Sequence, residues 1–330
     1  MKKLLKTILW VLLIFVVALF IYLFVGKVKP AEKIGWGVTF SKGYAADFEP
    51  DWKKMFLLIL DDLGVKKIRL VAYWNEIEKT QGKYDFSELD WQVNEVSKRG
   101  GEIVLAIGRR LPRWPECFSP EWSKNLPEDK NQELILSYIK ETINRYKENK
   151  NIKVWQVENE PFLRTFGICP KLDKKFLDKE VALVRYLDPA RPVMITESGE
   201  FSTWIGGAKR ADIIGSSVYR TVYGKLGYVT YPIPPVFYYR KSNLIKLFFG
   251  QNKRIISTEI QLEPWGTKPV KQMIKEESDV SLSIEKFNKN VEYARKTGFD
   301  EMYLWGVEWW YWRKMNGDDS YWNQARELFK

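Results

Sequence analysis

Val154-Trp-Gln-Val-Glu-Asn-Glu-Pro161 is a short apolar run that stops abruptly in Asn159, Glu160 and Pro161. Val154, Trp155 and Val157 favour an extended strand, and Pro161 lacks the N–H that a ladder needs. The run therefore reads as a buried strand ending in a carboxylate. A second stretch about a hundred residues later has the same form: Arg254-Ile-Ile-Ser-Thr-Glu259 leads into Ile260-Gln-Leu-Glu-Pro-Trp265. It too is a β-branched strand, a terminal glutamate and a proline-containing loop.

Strand-like and helix-like segments alternate outward from these two stretches to the end of the chain, which implies a parallel sheet rather than hairpins. The expected strands are residues 34–40, 67–72, 103–107, 153–157, 193–196, 212–218, 254–258 and 302–306. Between them, Ile135, Ile139, Ile143 and Tyr146 fall on one helical stripe, as do Ile284, Phe287, Val291 and Ala294. Ser87 followed by Asp90 resembles a capping box for the helix after the second strand, and Gly100 marks its stop. Eight strand–helix units predict an α/β fold, a (β/α)8 TIM barrel over residues 34–330, with its chemistry at the carboxyl ends of the strands. Residues 231–249 are more apolar than a solvent-facing barrel helix needs, which suits a buried sixth helix, a collar near a membrane or a substrate cover.

The amino end is of a different kind. Residues 7–25 carry no charge, and nineteen residues at about 1.5 Å each span roughly the 30 Å hydrocarbon core. The stretch exceeds the usual ~7–15-residue core of a cleaved signal, and no small-x-small site follows it before Gly26-Lys-Val-Lys-Pro30. The expectation is an uncleaved transmembrane anchor over 7–25, followed by a linker over 26–33. Lys2, Lys3, Lys6 and the terminal amine outweigh Lys27, Lys29 and Lys33 less Glu32, which places residues 1–6 in the cytoplasm and the barrel outside the cell membrane. A single-pass protein with the lipid bilayer as one partner follows.

The formal net charge is +11, of which the lysines and Glu32 of residues 1–33 supply +5 and the remainder of the chain +6. No basic stripe or recognition motif accompanies that charge, so no nucleic-acid partner is expected. There is no histidine, and the two cysteines are not spaced as Cys-x-x-Cys, so neither a metal nor a Ser-His-Asp hydrolase is expected. No cofactor is expected, and the protein is expected to be a monomer.

Two carboxylates at the ends of two parallel strands are the minimum needed to cleave a glycosidic bond. With Asn159-Glu160-Pro161 on the fourth strand and Glu259 on the seventh, the chain resembles the clan A retaining glycoside hydrolases, the TIM barrels that include the cellulase-like enzymes. The resemblance implies Glu160 as general acid/base and Glu259 as nucleophile. It implies Asn159 as the donor to a sugar 2-hydroxyl, Arg69 on the second strand as the cation beside the nucleophile, and Tyr219 after the sixth strand as a hydroxyl on the nucleophile. Trp305 on the last strand would be the platform for a sugar ring. Glu158, Glu197, Glu200, Glu263 and Glu308 also lie at or after strand ends, and Glu160 is preferred to Glu158 on the motif alone.

Fifteen tryptophans in 330 residues is a high count; many belong to the core, and Trp114 and Trp265 join Trp305 as candidates to line a sugar cleft, with Trp36 and Trp74 undecided. Cys117 and Cys169 fall in the loops after neighbouring strands. Outside the cytoplasm they suit a disulfide closing about 52 residues, worth roughly 4 kcal/mol in the chain-entropy model, the alternative being two free thiols. The lack of histidine departs from cellulase-like members, so cellulase specificity does not carry over. The expected substrate is an oligo- or polysaccharide with β-linkages, cleaved by hydrolysis. A transglycosylase with the same site and a noncatalytic glycan-binding barrel are the alternatives.

Overall fold

The computed structural model describes residues 1–330. Eight strands, β1 (Gly35–Thr39), β2 (Lys67–Val71), β3 (Glu102–Ile107), β4 (Ile152–Val157), β5 (Val193–Glu197), β6 (Ile213–Val218), β7 (Arg254–Gln261) and β8 (Glu301–Trp305), close into one parallel barrel. Each pairs with its sequence neighbour, and β8 closes on β1. This is the expected TIM barrel. A helix precedes it, α1 (Lys2–Phe24), and helices follow each strand in turn: α2 (Trp52–Asp61), α3 (Ser87–Lys98), α4 (Glu128–Tyr146), α5 (Lys174–Leu187), a single turn α6 (Ile205–Ala208), α7 (Pro235–Phe249), α8 (Ile284–Arg295) and α9 (Val307–Met315).

The apolar stripes do what their spacing requires. Ile135, Ile139 and Ile143 of α4 and Phe287 and Ala294 of α8 are buried against the sheet. Two cores result. A small plug of Val104, Val154, Met194, Ile213, Ile256 and Tyr303 fills the barrel from β3 to β8, while a far larger cluster packs between strands and helices.

Those two cores show which way each residue of β7 faces. Ile255 belongs to the outer cluster and Ile256 to the inner plug, so strict alternation would send Glu259 outward. It does not, because β7 carries a bulge. Ser216 pairs with Ser257 while Ser217 pairs with Glu259, and on the other side Met302 pairs with Ser257 while Leu304 pairs with Ile260. One extra residue reverses the phase, so Ile260 joins the outer cluster and Glu259 turns into the barrel mouth. The strand also runs to Gln261, so Glu259 is not its terminal residue as expected but lies inside it.

Three other expectations need correction. The loop after β6 holds an antiparallel hairpin, Thr221–Gly224 with Gly227–Thr230, where only parallel pairing was expected. The capping box does not form: α3 starts with Phe86 at its cap position, Ser87 N–H donates to Asp85, and Asp90 instead pairs with Arg145 and accepts from Tyr146. Gly100 does end the helix, in the left-handed conformation that glycine adopts without strain. Residues 236–249 form a helix that is only partly buried: Leu247 and Phe248 are exposed.

An 18-residue window of helix α1 has a mean hydropathy of 2.9; the helix has no buried residue and is long and apolar enough to cross a bilayer. Its last turn touches α7, where the rings of Phe24 and Phe237 are 5.1 Å apart.

Candidate active site

The end of β4 is built to aim two consecutive side chains into the barrel mouth. Glu158 (φ 57°) and Glu160 (φ 43°) are both left-handed on either side of Asn159, a conformation that costs non-glycine residues free energy and is held only where surroundings over-determine it. The surroundings do so. Glu158 turns away and accepts from Arg109 N–H at 2.6 Å and Arg110 N–H at 2.8 Å, Asn159 N–H donates to Arg110 O at 2.6 Å, and Glu160 N–H donates to Thr196 Oγ1 at 2.9 Å. Gly108 is required here, since a Cβ would lie 2.3 Å from Glu158 Oε1. Glu158 is thus a fastening between the β3 and β4 loops, while Glu160 is presented to the mouth.

Arg69 on β2 is fully buried and organises the floor. Its Nε donates to Gln156 at 2.7 Å, its Nη2 to Asn159 Oδ1 at 2.7 Å, and its Nη1 to Glu259 Oε1 at 3.0 Å and to Thr258 O at 3.3 Å. The other oxygen of Glu259 accepts from Tyr219 OH at 3.1 Å. Tyr219 is itself fixed, its N–H donating to Glu200, which also accepts from Tyr238 OH.

Glu160 has a different environment. It has no cation partner; Ser217 Oγ lies 2.9 Å from its Oε1 and 3.4 Å from Glu200. Burial first, and then the negative charges of Glu259 and Glu116, hold its carboxyl well above the usual carboxylate range. One carboxyl therefore has a raised proton affinity while its neighbour is surrounded by donors.

Glu116 is a site residue that the sequence did not announce. It sits in the loop after β3, is buried, accepts from Asn159 Nδ2 at 3.2 Å and pairs with Arg110 at 3.4 Å. Burial pushes it up to about 7 against the opposing pull of Arg110. Arg113, three residues earlier, reaches across the mouth to Glu263 and, at 2.8 Å, to Glu308. Its guanidinium lies between two rings, 3.7 Å from Tyr44 and 4.0 Å from Trp305. Nothing in the local pattern of Arg113-Trp-Pro-Glu116 marks these roles, because the partners across the mouth, Glu263, Glu308 and Asn159, are remote in sequence.

The aromatic candidates separate by position. Trp305 is buried, with one face covered by Arg113. Trp265 is half-buried and meets Tyr219 edge-on at 5.3 Å and Phe166 at 5.5 Å; Trp114, 61% exposed, meets Phe166 at 5.7 Å on the rim. Trp74 belongs to the core, its Nε1 donating to Glu78 at 2.6 Å, and Trp36 lies beside Arg295 away from the pair. Cys117 and Cys169 form a disulfide that joins the β3 and β4 loops. Of the other carboxylates, Glu197 accepts from Ser202 and Gly207 in the β5 loop, and Glu263 and Glu308 hold Arg113.

No family model matches the chain. A beta-galactosidase LacZ from Lactobacillus acidophilus is 28% identical over 141 residues, 36% of this chain and 21% of that protein. The chain spans about a quarter or less of the length of the curated beta-galactosidases it matches. Among solved structures, native xylanase 10B from Thermotoga maritima superposes with a TM-score of 0.59 at 12% identity, over 90% of this chain and 95% of that one. A GH5_18 structure from Streptomyces cattleya in complex with GlcNAc superposes with a TM-score of 0.57 at 11% identity, over 83% and 70%. The structural neighbours are thus TIM-barrel glycoside hydrolases of the cellulase-like and xylanase kinds in clan A, and what the chain shares with them is the closed parallel barrel.

Proposed function

We propose that this protein is a membrane-anchored retaining glycoside hydrolase that cleaves β-linked glycans by double displacement. One observation carries the reading: the two mouth carboxyls have different surroundings, Glu160 buried without a cation and with a raised proton affinity, Glu259 held between Arg69 and Tyr219. Such a division of labour between paired acids is what glycosidic cleavage requires.

In the first step Glu259 attacks the anomeric carbon as Glu160 gives its proton to the departing oxygen, breaking the C–O bond and leaving a covalent glycosyl ester on Glu259. In the second, Glu160, now ionised, takes a proton from water as that water displaces Glu259. The anomeric configuration is inverted twice and so retained. Arg69 orients Glu259 and holds Asn159 Oδ1, so that Asn159 Nδ2, which gives one proton to Glu116, has its second proton for the 2-hydroxyl, a contact that strengthens in the oxocarbenium-like transition state. Trp265 and Trp114 supply flat faces along the entry to the site. Helix α1 holds the barrel at a membrane, with residues 1–6 on the cytoplasmic side.

The names of the relatives set the substrates to try: galactosides, xylosides and N-acetylglucosaminides. Full-length protein in detergent should hydrolyse at least one aryl β-glycoside, and proton NMR of the first-formed sugar should show the β-anomer. Glu259→Gln should lose activity by several orders of magnitude. The α-anomer as first product, or an active Glu259→Gln, would refute the mechanism.

A further inference from the structure

Helix α7 carries two faces. Val236, Tyr238, Lys241, Ser242 and Ile245 point into the protein. A second stripe, Phe237, Arg240, Leu244, Leu247 and Phe248, recurs every three or four residues and therefore runs along one side of the helix. At its amino-terminal end this stripe is the contact with α1: Phe237 meets Phe24, and the Arg240 guanidinium sits 5.0 Å from the Tyr22 ring and donates to the Tyr22 carbonyl. Towards the other end the same stripe has no protein partner. Leu247 is 65% and Phe248 73% exposed.

A single exposed apolar residue needs no explanation, but two adjacent large ones on the stripe that already holds an anchor form a patch with a direction. Phe248 lies eleven residues beyond Phe237, about 16 Å along the helix. The anchor leaves the protein at one end of this line, and the line continues as exposed hydrocarbon.

We propose that α7 is a second membrane contact, with its outward stripe lying in the interfacial region of the phospholipid bilayer that α1 spans, so that the barrel rests against the membrane rather than swinging from a tether. The inference rests on reading α1 as a transmembrane anchor. Leu247 and Phe248 would enter the boundary between headgroups and acyl chains, as the apolar side of an interfacial helix does. Arg240 caps the last turn of α1 at the water boundary. The chain enters β1 from this side, with Val28 beside Gly298.

The test uses the full-length chain in vesicles of phosphatidylcholine and phosphatidylglycerol containing a lipid with a quencher in its upper acyl chain. With Cys117 and Cys169 joined, a bimane label goes on one added cysteine: Phe248→Cys, Tyr186→Cys on exposed α5 as the water reference, or Leu12→Cys within α1. The expected result is strong lipid quenching at positions 12 and 248, several-fold weaker quenching at 186, and the reverse order with aqueous iodide. If position 12 is lipid-quenched but 248 behaves as 186 does, the anchor reading stands and the second contact is refuted. If position 12 is not lipid-quenched, the anchor reading and this inference both fail.

Discussion

Asn159 donates from Nδ2 to Oε2 of Glu116 at 3.2 Å, so the amide proton expected to meet a sugar hydroxyl already has a carboxylate partner from the β3 loop. Glu116 is also one of the negative charges that raise the proton affinity of Glu160, and it is itself pushed up to about 7 by burial. Above that pH its charge opposes ionisation of Glu160. Glu116→Gln removes the charge, so the alkaline limb of kcat/KM, which reports loss of the Glu160 proton, should move to lower pH by about one unit or less. A pH–rate profile measured on the wild type and the variant checks this. An alkaline limb that stays in place or moves upward would show that Glu116 does not act on Glu160.

The ion pair between Arg69 and Glu259 is buried on both sides, with Arg69 fully enclosed. Breaking a buried pair from one end leaves a charge without compensation, which costs about 3–5 kcal/mol. Arg69→Met should therefore lower the thermal midpoint sharply. Arg69→Met combined with Glu259→Gln should recover much of that stability, because the stranded charge is gone. Arg69→Lys keeps the charge but cannot span Gln156, Asn159 and Glu259 together, so kcat should fall roughly 100-fold or more while the fold survives. Calorimetry on the three variants beside steady-state rates makes the distinction.

All eight strands could be placed from the sequence because each is a short apolar run between polar turns, and burial on both faces of a parallel strand leaves no other use for such a run. Glu160 and Glu259 could be singled out as candidates because each ends or nearly ends such a run. The bulge that turns Glu259 inward could not, since it exists only in the register of β7 against β6 and β8. Arg113 and Glu116 were invisible for a related reason: their partners Glu263, Glu308 and Asn159 are remote in sequence, and the loop that carries them has no period to read. The hairpin after β6 went unread because its strands, four residues each, lie half on the surface and show no clear alternation.

Glu158 and Glu160 are two residues apart, and the motif alone prefers the second. The geometry predicts opposite phenotypes. Glu158 holds the backbone N–H groups of Arg109 and Arg110, so Glu158→Ala should cost about 1–3 kcal/mol of stability by orphaning buried donors, with kcat changed far less than in the other variant. Glu160→Gln keeps the shape and should fold with near-native stability, but lose most activity on glycosides with poor leaving groups and much less on those with good ones. Parallel melting curves and rates on a pair of aryl glycosides differing in leaving-group acidity test both, and exchanged phenotypes would transfer the acid/base role to Glu158.

The disulfide between Cys117 and Cys169 adjoins Glu116 and ties the loop that bears it to the loop after β4, where Arg110 also donates to the carbonyls of Leu163 and Phe166 at 2.9 Å each. Closing 52 residues of the unfolded chain is worth roughly 4 kcal/mol in the entropic model. Replacing both cysteines by serine should therefore lower stability by up to that amount. It should also change activity separately from stability, since Gly167 packs against Glu116 and a looser β4 loop frees that carboxylate from Asn159. Well below the melting temperature, the double serine variant should show an alkaline limb shifted in the same direction as Glu116→Gln, together with a raised KM. A variant that is merely less stable, with an unchanged pH profile and KM, would confine the disulfide to a structural role.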